Sequence, residues 1–517
     1  MASTSPKKIL FLTNSDYGQA NVVLATAYEL VLAAEQVQVH IASFEALRPA
    51  VLATDQLAAG ESGRSPGRLI FHTLLGMSQF DAAARPDVDI FAAYDRPPTI
   101  INAARTILSI EGIMQPWGLE EFTELYEQTV HVVNQVKPDL TVVEPLFSPG
   151  LTVCHHVGAK WIVLSPNTIK DFAVPEQPRL AGLWKYPIVG SGMPFPLPWS
   201  LIPRNIALNL VAVYLLLAGE RCKNAQRFLQ AQVGDEGIQL ITAMELGVLG
   251  PSLQISILVA NTAELDYPFD VMPSKIIPCG PIIRASLKLD MVDRSLEKWL
   301  ARGPTLYVNL GSHLEMTLLE AVEMASAFRN FLDEARPEKG FNGGKLQILW
   351  KLKTKGAESG RTDSERPEQL QVGDDVYERI RHLLGKEMDR DQIRLTSWVT
   401  AEPKSVLESG HIVCSINHGG ASSFNEALCA GVPQVVLPAW ADCYDFANRA
   451  ELLGIGRWGN KSAKPRWRKK ELCEALIGAI LGPEAEKIRL RAQELAEKYP
   501  EGSGRRRAAE VLLEALQ

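Results

Sequence analysis

The chain has no excess of positive charge and no paired cysteine motif, and each deficit excludes a class of protein. Its net charge is −7 at pH 7, which argues against nucleic acid as the main partner. Its seven cysteines are scattered, without a Cys-x-x-Cys pair. This spacing argues against a zinc site and against a disulfide framework. We therefore predict reduced, mostly buried thiols in a cytoplasmic protein.

Long uninterrupted hydrophobic runs are also missing. The nearest candidate, 206–218, contains Asn209 and is shorter than the ~20 apolar residues that cross a bilayer. The polar stretch 1–8 leads directly into a strand pattern and does not resemble a secretory signal. We therefore expect no membrane-spanning helix and interpret 206–218 as a buried or interfacial helix.

What the sequence does contain is an alternation of apolar runs and helical patterns that occurs twice. Six strand candidates lie between positions 8 and 261, and five lie between positions 305 and 437. Apolar strands separated by helices predict parallel sheets that are covered on both faces. Because 517 residues are too many for one core, two domains are expected. The predicted fold class is α/β, with two Rossmann-like doubly wound domains facing a central cleft.

A Pro/Gly break at 277–281 marks the boundary between the two patterns. We predict an N-terminal domain over 1–280, a linker over 281–298, a second domain over 299–483 and a helical segment over 484–517. Two stretches depart from the alternation. The Pro- and Trp-rich stretch 175–203 fits a pocket lining, a membrane contact or a packed loop. The polar stretch 354–373 is typical of a surface insertion.

The most informative motif is a glycine turn between an apolar strand and a helix. The strand runs into His418, Gly419 and Gly420, and small hydroxyl residues open the helix that follows. The N–H groups of a first helical turn and the helix dipole both favour a phosphate. Glycine allows close approach of a ligand, and the imidazole adds a hydrogen-bond donor. The same residues also fit a core histidine beside an ordinary turn.

Together with its surroundings, this turn resembles the donor-binding signature of family 1 nucleotide-sugar glycosyltransferases of the small-molecule, fungal-like type. The resemblance implies the GT-B fold, with the donor in the second domain and the 484–517 segment packed back on the first. It also implies a UDP-sugar donor, with UDP-glucose preferred and GDP- or dTDP-sugars as alternatives. The matching residues are Trp398-Val399, His418 to Ser423, Glu426, Gly431-Val432-Pro433, Pro438 and Asp442.

The resemblance assigns donor-binding roles residue by residue. The flat indole of Trp398 suits stacking with uracil. The carboxylate of Glu426, two helical turns past the histidine, suits the ribose, and the carboxylate of Asp442 suits the sugar hydroxyls. The imidazole, the turn amides and the small hydroxyls suit the diphosphate. Cys443 stands where the plant branch has Gln, which leaves the sugar open. The predicted donor set is Ser312, Trp398, Val399, His418, Gly420, Ser422, Ser423, Glu426 and Asp442.

The acceptor half departs from the family at the general base. The family places a histidine after the first strand, whereas this chain has Gln19, which cannot take up a proton. The position of the family's partner Asp falls on Glu144, whose carboxylate can serve as the base if its apolar setting raises its pKa. A carboxylate that only accepts hydrogen bonds is the other interpretation, and Asp16 is a further catalytic candidate. The predicted acceptor contacts are Tyr17, Phe147, Trp184 and Trp440.

These features predict an inverting glycosyltransferase of natural-product (secondary) metabolism. It would move a sugar to a hydroxyl, phenol or carboxylate of a lipophilic small molecule. We expect no cofactor and no metal, because the Asp-x-Asp matches at 87–89 and 389–391 are too short to be specific. Gln19 prompts an alternative, an auxiliary GT-B protein that binds nucleotide or a lipophilic ligand without transfer. We also expect a monomer or weak dimer, no nucleic-acid partner and weak contact with a membrane surface.

Overall fold

The computed structural model describes residues 6–90, 92, 95–247, 253–335, 346–355 and 374–517. It divides the chain into two compact units. The first consists of the residues up to Ala285 together with the segment 501–517, and the second of the residues from Ser286 to Pro500. Apart from its first two residues, the predicted insertion 354–373 lies outside the described residues.

The first unit is built on a parallel sheet, in which the described strands follow the order β3-β2-β1-β4-β5-β6-β7. The strand order reverses between β1 and β4, and sheets of this kind bind ligands at the carboxyl ends of the strands beside such a reversal. The strands are β1 Lys7–Leu12, β2 Val37–Phe44, β3 Leu69–Leu74, β4 Leu140–Val143, β5 Trp161–Ser165, β6 Ile257–Val259 and β7 Ile276–Pro278.

Helices cover both faces of this sheet, because alternate strand residues point to opposite sides. Ile9 and Phe11 of β1 pack with one group of helices, and Leu10 and Leu12 pack with the other. The helices are α1 Tyr17–Ala33, α2 Arg48–Ser62, α3 Gln79–Ala83, α4 Ile100–Leu108, α5 Ile110–Met114, α6 Leu119–Val136, α7 Ser148–His156, α8 Ile169–Ala173, α9 Ala181–Trp184, α10 Ile202–Ala218 and α11 Arg221–Val233.

The second unit repeats this architecture with the strand order β10-β9-β8-β11-β12-β13, all parallel in the part described. Its order reverses between β8 and β11. The strands are β8 Thr305–Asn309, β9 Gln347–Lys351, β10 Ile393–Thr396, β11 Ile412–Asn417, β12 Gln434–Val436 and β13 Gly456–Trp458. The helices are α12 Leu289–Val292, α13 Arg294–Leu300, α14 Leu318–Ala335, α15 Asp374–Asp389, α16 Pro403–Leu407, α17 Ala421–Cys429, α18 Cys443–Leu452, α19 Lys469–Ile480 and α20 Ala485–Lys498.

The last helix, α21 (Ser503–Ala515), belongs to the first unit and packs on α1. Arg505 forms a buried ion pair of 2.6 Å with Glu29 of α1, and a Cβ at position 504 would collide with the carbonyl oxygen of Pro281. Helix α20 instead packs on α17 and α19 in the second unit. The division therefore falls at Pro500, inside the predicted 484–517 segment, and the predicted linker belongs mostly to the second unit.

One stretch of the described chain bears on the prediction that no segment reaches membrane-spanning length. The helical stretch from Trp199 to Val233 has 35 residues and contains an 18-residue window with a mean hydropathy of 1.7, so it is a candidate by length and composition alone. The stretch is divided into α10 and α11 at residues 219–220. Asn209 does not interrupt α10, because the Asn209 side-chain amide donates a 2.8 Å hydrogen bond to the carbonyl oxygen of Asn205 one turn earlier. A polar side chain satisfied within its own helix does not end that helix.

All seven cysteines are free thiols in the structure, and most are buried. Burial raises the pKa of the Cys414 thiol to about 12, so this group stays protonated at neutral pH. The cysteines thus act as small apolar core residues.

Candidate active site

In the second unit, two neighbouring strands end in the same way. Asn309 at the end of β8 and Asn417 at the end of β11 are register partners in the sheet. Each asparagine side chain accepts a hydrogen bond from the N–H two residues later, Gly311 N at 3.1 Å and Gly419 N at 2.9 Å. Both glycines have positive φ, 85° and 79°, which favours glycine at these positions. The result is a pair of adjacent tight turns at the carboxyl edge of the sheet.

His418 lies between these two turns. Its imidazole packs directly against the neighbouring glycines, where any side chain would collide with it. A Cβ at Gly311 would lie 2.7 Å from the imidazole Cε1, and a Cβ at Gly420 would lie 2.5 Å from Nε2. Burial, with smaller contributions from His313 and Lys351, lowers the pKa of His418 to about 4. His418 is therefore neutral at pH 7. Within the described residues, its Nδ1 has no hydrogen-bond partner.

Helix α17 begins directly after this turn, with Gly420 as its N-cap residue. The first backbone hydrogen bond of the helix runs from Phe424 N to the Gly420 carbonyl at 3.0 Å. The amides of the first turn of α17, which includes Ser422 and Ser423, therefore lie at the positive end of the helix dipole. A neutral imidazole with a buried Nδ1 beside such a terminus is suited to an anion.

Lys351 is a member of this group that the sequence analysis missed. It ends β9 as the register partner of Asn309, and its ammonium group donates to the Gly311 carbonyl at 3.2 Å. The same ammonium lies 4.2 Å from the ring centroid of Trp398, which is 62% exposed. Burial, followed by the charge of Lys353, lowers the pKa of Lys351 to about 8. The available signal was the Lys-Leu-Lys alternation at the end of a predicted strand.

The other predicted donor residues fall around the same strand ends. Glu426 is partly buried in α17, and its charge contributes to a raised pKa of Tyr307, whose hydroxyl oxygen accepts a 3.1 Å hydrogen bond from Asn309. Asp442 is the N-cap residue of α18, Ser312 is exposed after β8, and Val399 packs partly buried next to Trp398.

In the first unit, Glu144 follows β4 and is fully buried. Its two carboxylate oxygens accept hydrogen bonds of 2.7 Å from the Asn14 side chain and from the Leu146 N–H. Burial raises the pKa of Glu144 to about 7 despite these hydrogen bonds, and the charge of Asp16 adds to the effect. A carboxyl group with this pKa exchanges its proton near neutral pH, as a general base must.

The turn between β1 and α1 contributes further oxygen atoms. Burial, followed by the charge of Asp81, raises the pKa of Asp16 to about 6. In the part of the chain that the structure describes, no donor reaches Asn14 Oδ1, Asp16 Oδ2 or Gln19 Oε1. Three buried acceptor atoms in one turn suit a ligand that brings its own hydrogen-bond donors.

The predicted acceptor contacts differ in their exposure and in the unit to which they belong. Tyr17 is exposed in the β1–α1 turn, with the Arg284 guanidinium 5.6 Å from its ring centroid. Trp184 is half-exposed at the end of α9. Phe147 is fully buried and packs edge-on against Trp117, so the structure places it in the core of the first unit. Trp440 lies in the second unit, beside His418.

The two Asp-x-Asp matches form ion pairs with arginines. Asp391 pairs with Arg302 at 2.6 Å and with Arg394 at 2.9 Å, and Asp87 lies 3.6 Å from Arg85. Over the described ranges, no three His, Cys, Asp or Glu side chains are grouped to hold a metal ion.

Comparison with known proteins links this geometry to a family. The chain is 35% identical to glycosyltransferase sdnJ of Sordaria araneosa over 462 residues, which is 88% of this chain and 83% of that protein. It is 23% identical to erythritol-mannosyl-transferase 1 of Mycosarcoma maydis, over 94% of this chain and 88% of that protein. No family model matches the chain.

The fold is shared with solved glycosyltransferases. The structure of a UDP-glucose:anthocyanidin 3-O-glucosyltransferase in complex with UDP is 14% identical, with a TM-score of 0.60 over 99% of both chains. The glycotransferase of kitacinnamycin is 18% identical, with a TM-score of 0.58 over 99% of this chain and all of that one. These likenesses confirm the predicted GT-B class, and the relationship to sdnJ confirms the predicted resemblance. The chain belongs to the family 1 UDP-glycosyltransferases.

Proposed function

We propose that this enzyme transfers glucose from UDP-glucose to a hydroxyl or phenol of a lipophilic small molecule, with inversion and without a metal ion. The observation that carries the proposal is the buried, unpaired Nδ1 atom of His418 at the start of α17. A buried polar atom without a partner is costly unless a ligand satisfies it. A diphosphate oxygen is such a ligand, because the helix terminus and Lys351 both favour negative charge there.

The leaving group is the diphosphate, and its developing charge must be stabilised. His418, the Lys351 ammonium and the first-turn amides of α17 together supply donors and positive charge. Preorganised donors of this kind are worth roughly 10²–10³-fold each in rate. This is the physical basis for proposing metal independence.

Glu144 is the proposed general base in place of the family's histidine. Its pKa of about 7 leaves a useful fraction ionised at neutral pH, and removal of the acceptor proton allows one displacement at the anomeric carbon. A single displacement inverts that carbon. The unpaired oxygens of Asn14, Asp16 and Gln19 would accept hydrogen bonds from an acceptor hydroxyl. Among the acceptor classes predicted from the sequence, they favour a hydroxyl or phenol over a carboxylate.

Two alternatives are kept because particular observations favour them. The similarity to an erythritol-mannosyl-transferase favours a different sugar, carried by GDP or another nucleotide. Gln19 in the usual histidine position favours a protein that binds nucleotide or a lipophilic ligand without transfer. The free thiols support a cytoplasmic location, and the fold shared with a UDP-glucose:anthocyanidin 3-O-glucosyltransferase supports a small-molecule acceptor.

The proposal is tested with the full chain in EDTA and a panel of UDP-glucose, UDP-galactose, GDP-mannose and dTDP-glucose. Phenols and aliphatic alcohols serve as acceptors, and NMR gives the configuration of the product. We expect UDP-glucose to be the best donor and the product to be a β-glycoside. Activity that requires added Mg²⁺ would contradict metal independence. Binding of UDP without transfer to any acceptor would favour the auxiliary alternative.

A further inference from the structure

Helix α10 is predominantly apolar on its outer as well as its inner side, although it lies at the surface of the first unit. Its inner residues Leu208, Ala212 and Leu215 are buried in a cluster with residues of α4. A helix that is hydrophobic all round is normally enclosed by protein or by lipid. Here only 22% of the most apolar window is buried. The exposed positions are all apolar and recur every three or four residues, and they are Pro203, Ala207, Leu210, Val213, Tyr214, Leu217 and Ala218.

The exposure is large, and it continues onto the elements that touch α10. Leu217 is 74% exposed, and Trp199, in the short 3₁₀ turn before α10, is 87% exposed. The contacting helices α4 and α9 add Ile101 and Trp184. Exposed apolar patches of this extent mark sites of association. We call Trp199, Leu210, Tyr214 and Leu217 the α10 face.

The chemistry of the α10 face matches a lipid interface. Its aromatic members have an apolar body and a polar tip, which suits the boundary between lipid headgroups and acyl chains. Residues 202–233, which span α10 and α11, contain four Lys or Arg residues and one carboxylate, Glu220, which pairs with Lys223 and Arg227. The whole chain, by contrast, has a net charge of −7. A local excess of Lys and Arg beside an apolar helix favours anionic lipid.

Helix α10 is suited to lying in the interface rather than to crossing it. Its 17 residues extend about 25 Å, less than the hydrocarbon core of roughly 30 Å. Its inner side is fixed to the unit by buried Asn205. The Asn205 amide donates to the carbonyl oxygens of Leu183 and Tyr186 at 2.8 Å and accepts from the Ile188 N–H at 2.9 Å. Only the outer face is therefore available to lipid.

We propose that the α10 face is a membrane-docking surface that inserts shallowly into an anionic phospholipid bilayer. This attachment goes beyond the transfer reaction and does not depend on which donor or acceptor is used. It would hold the first unit, with Glu144, at the surface in which lipophilic molecules concentrate.

The first experiment is cosedimentation of the full chain with phosphatidylcholine vesicles, with and without phosphatidylserine. We expect binding that is stronger with phosphatidylserine and that falls about tenfold or more in the double variant Leu210→Glu/Leu217→Glu. The matched control is Leu319→Glu/Leu490→Glu, which adds the same charge at exposed leucines of α14 and α20. The control should bind as the unmodified protein does. Circular dichroism melting curves establish that both variants are folded.

The second experiment measures insertion directly, by quenching of tryptophan fluorescence with brominated phosphatidylcholine in the same vesicles. Quenching should be smaller in Trp199→Phe than in the unmodified protein. No vesicle binding by the unmodified protein, or equal binding by both double variants, would overturn the proposal. Sedimentation-velocity ultracentrifugation tests whether a second copy of the chain, rather than lipid, binds the α10 face. A dimer that the Leu210→Glu/Leu217→Glu change dissociates, without vesicle binding, would assign the face to a second copy of the chain.

Discussion

His418 and Glu144 are two titratable groups in equivalent places, one in each unit. Each follows a central strand beside the point where the strand order of its sheet reverses. Burial disfavours the charged form of both side chains. It lowers the pKa of His418 to about 4 and raises the pKa of Glu144 to about 7. The same position in the fold thus holds a neutral donor in one unit and a proton acceptor in the other.

The side chains that surround His418 and Glu144 account for this difference between the two strand ends. His418 packs closely against glycines and lies near Lys351, so its surroundings are electropositive. Glu144 is held by amide donors and lies near Asp16, whose charge opposes its ionisation. Under the proposed function, one strand end receives an anion and the other receives a proton. In that proposal, the local side chains decide which partner of the transfer each strand end serves.

Replacing Glu144 should have the largest effect. Glu144→Gln keeps the size of the side chain and one of its two acceptor oxygens but cannot take up a proton, so kcat with an aliphatic alcohol should fall by ~10²–10⁴-fold. The loss should be smaller with an acidic phenol, because such an acceptor needs less help. Steady-state kinetics with acceptors of graded pKa measures both effects.

The pH dependence provides the control for Glu144. The ionised carboxylate is the active form of a base, so kcat/KM of the unmodified enzyme should rise as the pH increases through about 7. Glu144→Gln should lose this rise, whereas Gln19→Ala should keep it. An unchanged rate of Glu144→Gln with the alcohol would show that the carboxylate is not the base.

Replacing His418 tests the other half of the comparison. His418→Ala removes a donor from the proposed diphosphate site, so kcat/KM for the donor should fall by ~10²–10³-fold. Isothermal titration with UDP should show a matching loss of affinity. The control is His411→Ala, a partly buried histidine just before β11. Equal effects of the two substitutions would remove His418 from the donor site.

Replacing Lys351 should lower the affinity for UDP by a smaller factor than replacing His418 does. Lys351→Met removes one charge-assisted hydrogen bond to an anion, so UDP affinity should fall about tenfold, and its dependence on salt should weaken. Lys353→Met is the matched control, because the Lys353 ammonium is ion-paired with Glu315 at 3.1 Å. Titrations at two salt concentrations compare the variants. A larger loss in Lys353→Met would give the second lysine the role proposed for the first.

The sequence predicted the long elements of the fold well and the short edge strands poorly. Each predicted strand occurs in the structure within a few residues, because apolar runs between helices are a strong signal. Strands β7 and β13 were missed. Each has three residues, and they contain Pro278 and Gly456, residue types that normally indicate a break. Both strands pair at the edge of a sheet, where tertiary context outweighs local preference.

The residues of the candidate site divide in the same way. Those in one contiguous motif could be predicted from the sequence, and those that depend on strand pairing could not. The His418 turn is contiguous in sequence, so its glycines and hydroxyls were visible as a motif. Lys351 reaches Gly311 only through the pairing of β9 with β8, which joins residues 40 positions apart. The burial that shifts the pKa of Glu144 also depends on packing. Residue types can be read from one sequence, but such contacts need the register of the sheet.

The return of α21 to the first unit has a consequence for synthesis on the ribosome. Ala508 and Leu512 of α21 complete the core that contains α1, so this core lacks its last helix until the end of the sequence has been made. The second unit, residues Ser286–Pro500, is one continuous segment that leaves the ribosome earlier. Domains generally fold as units during synthesis. The unit that begins later in the sequence is therefore the first to have all of its residues available for folding.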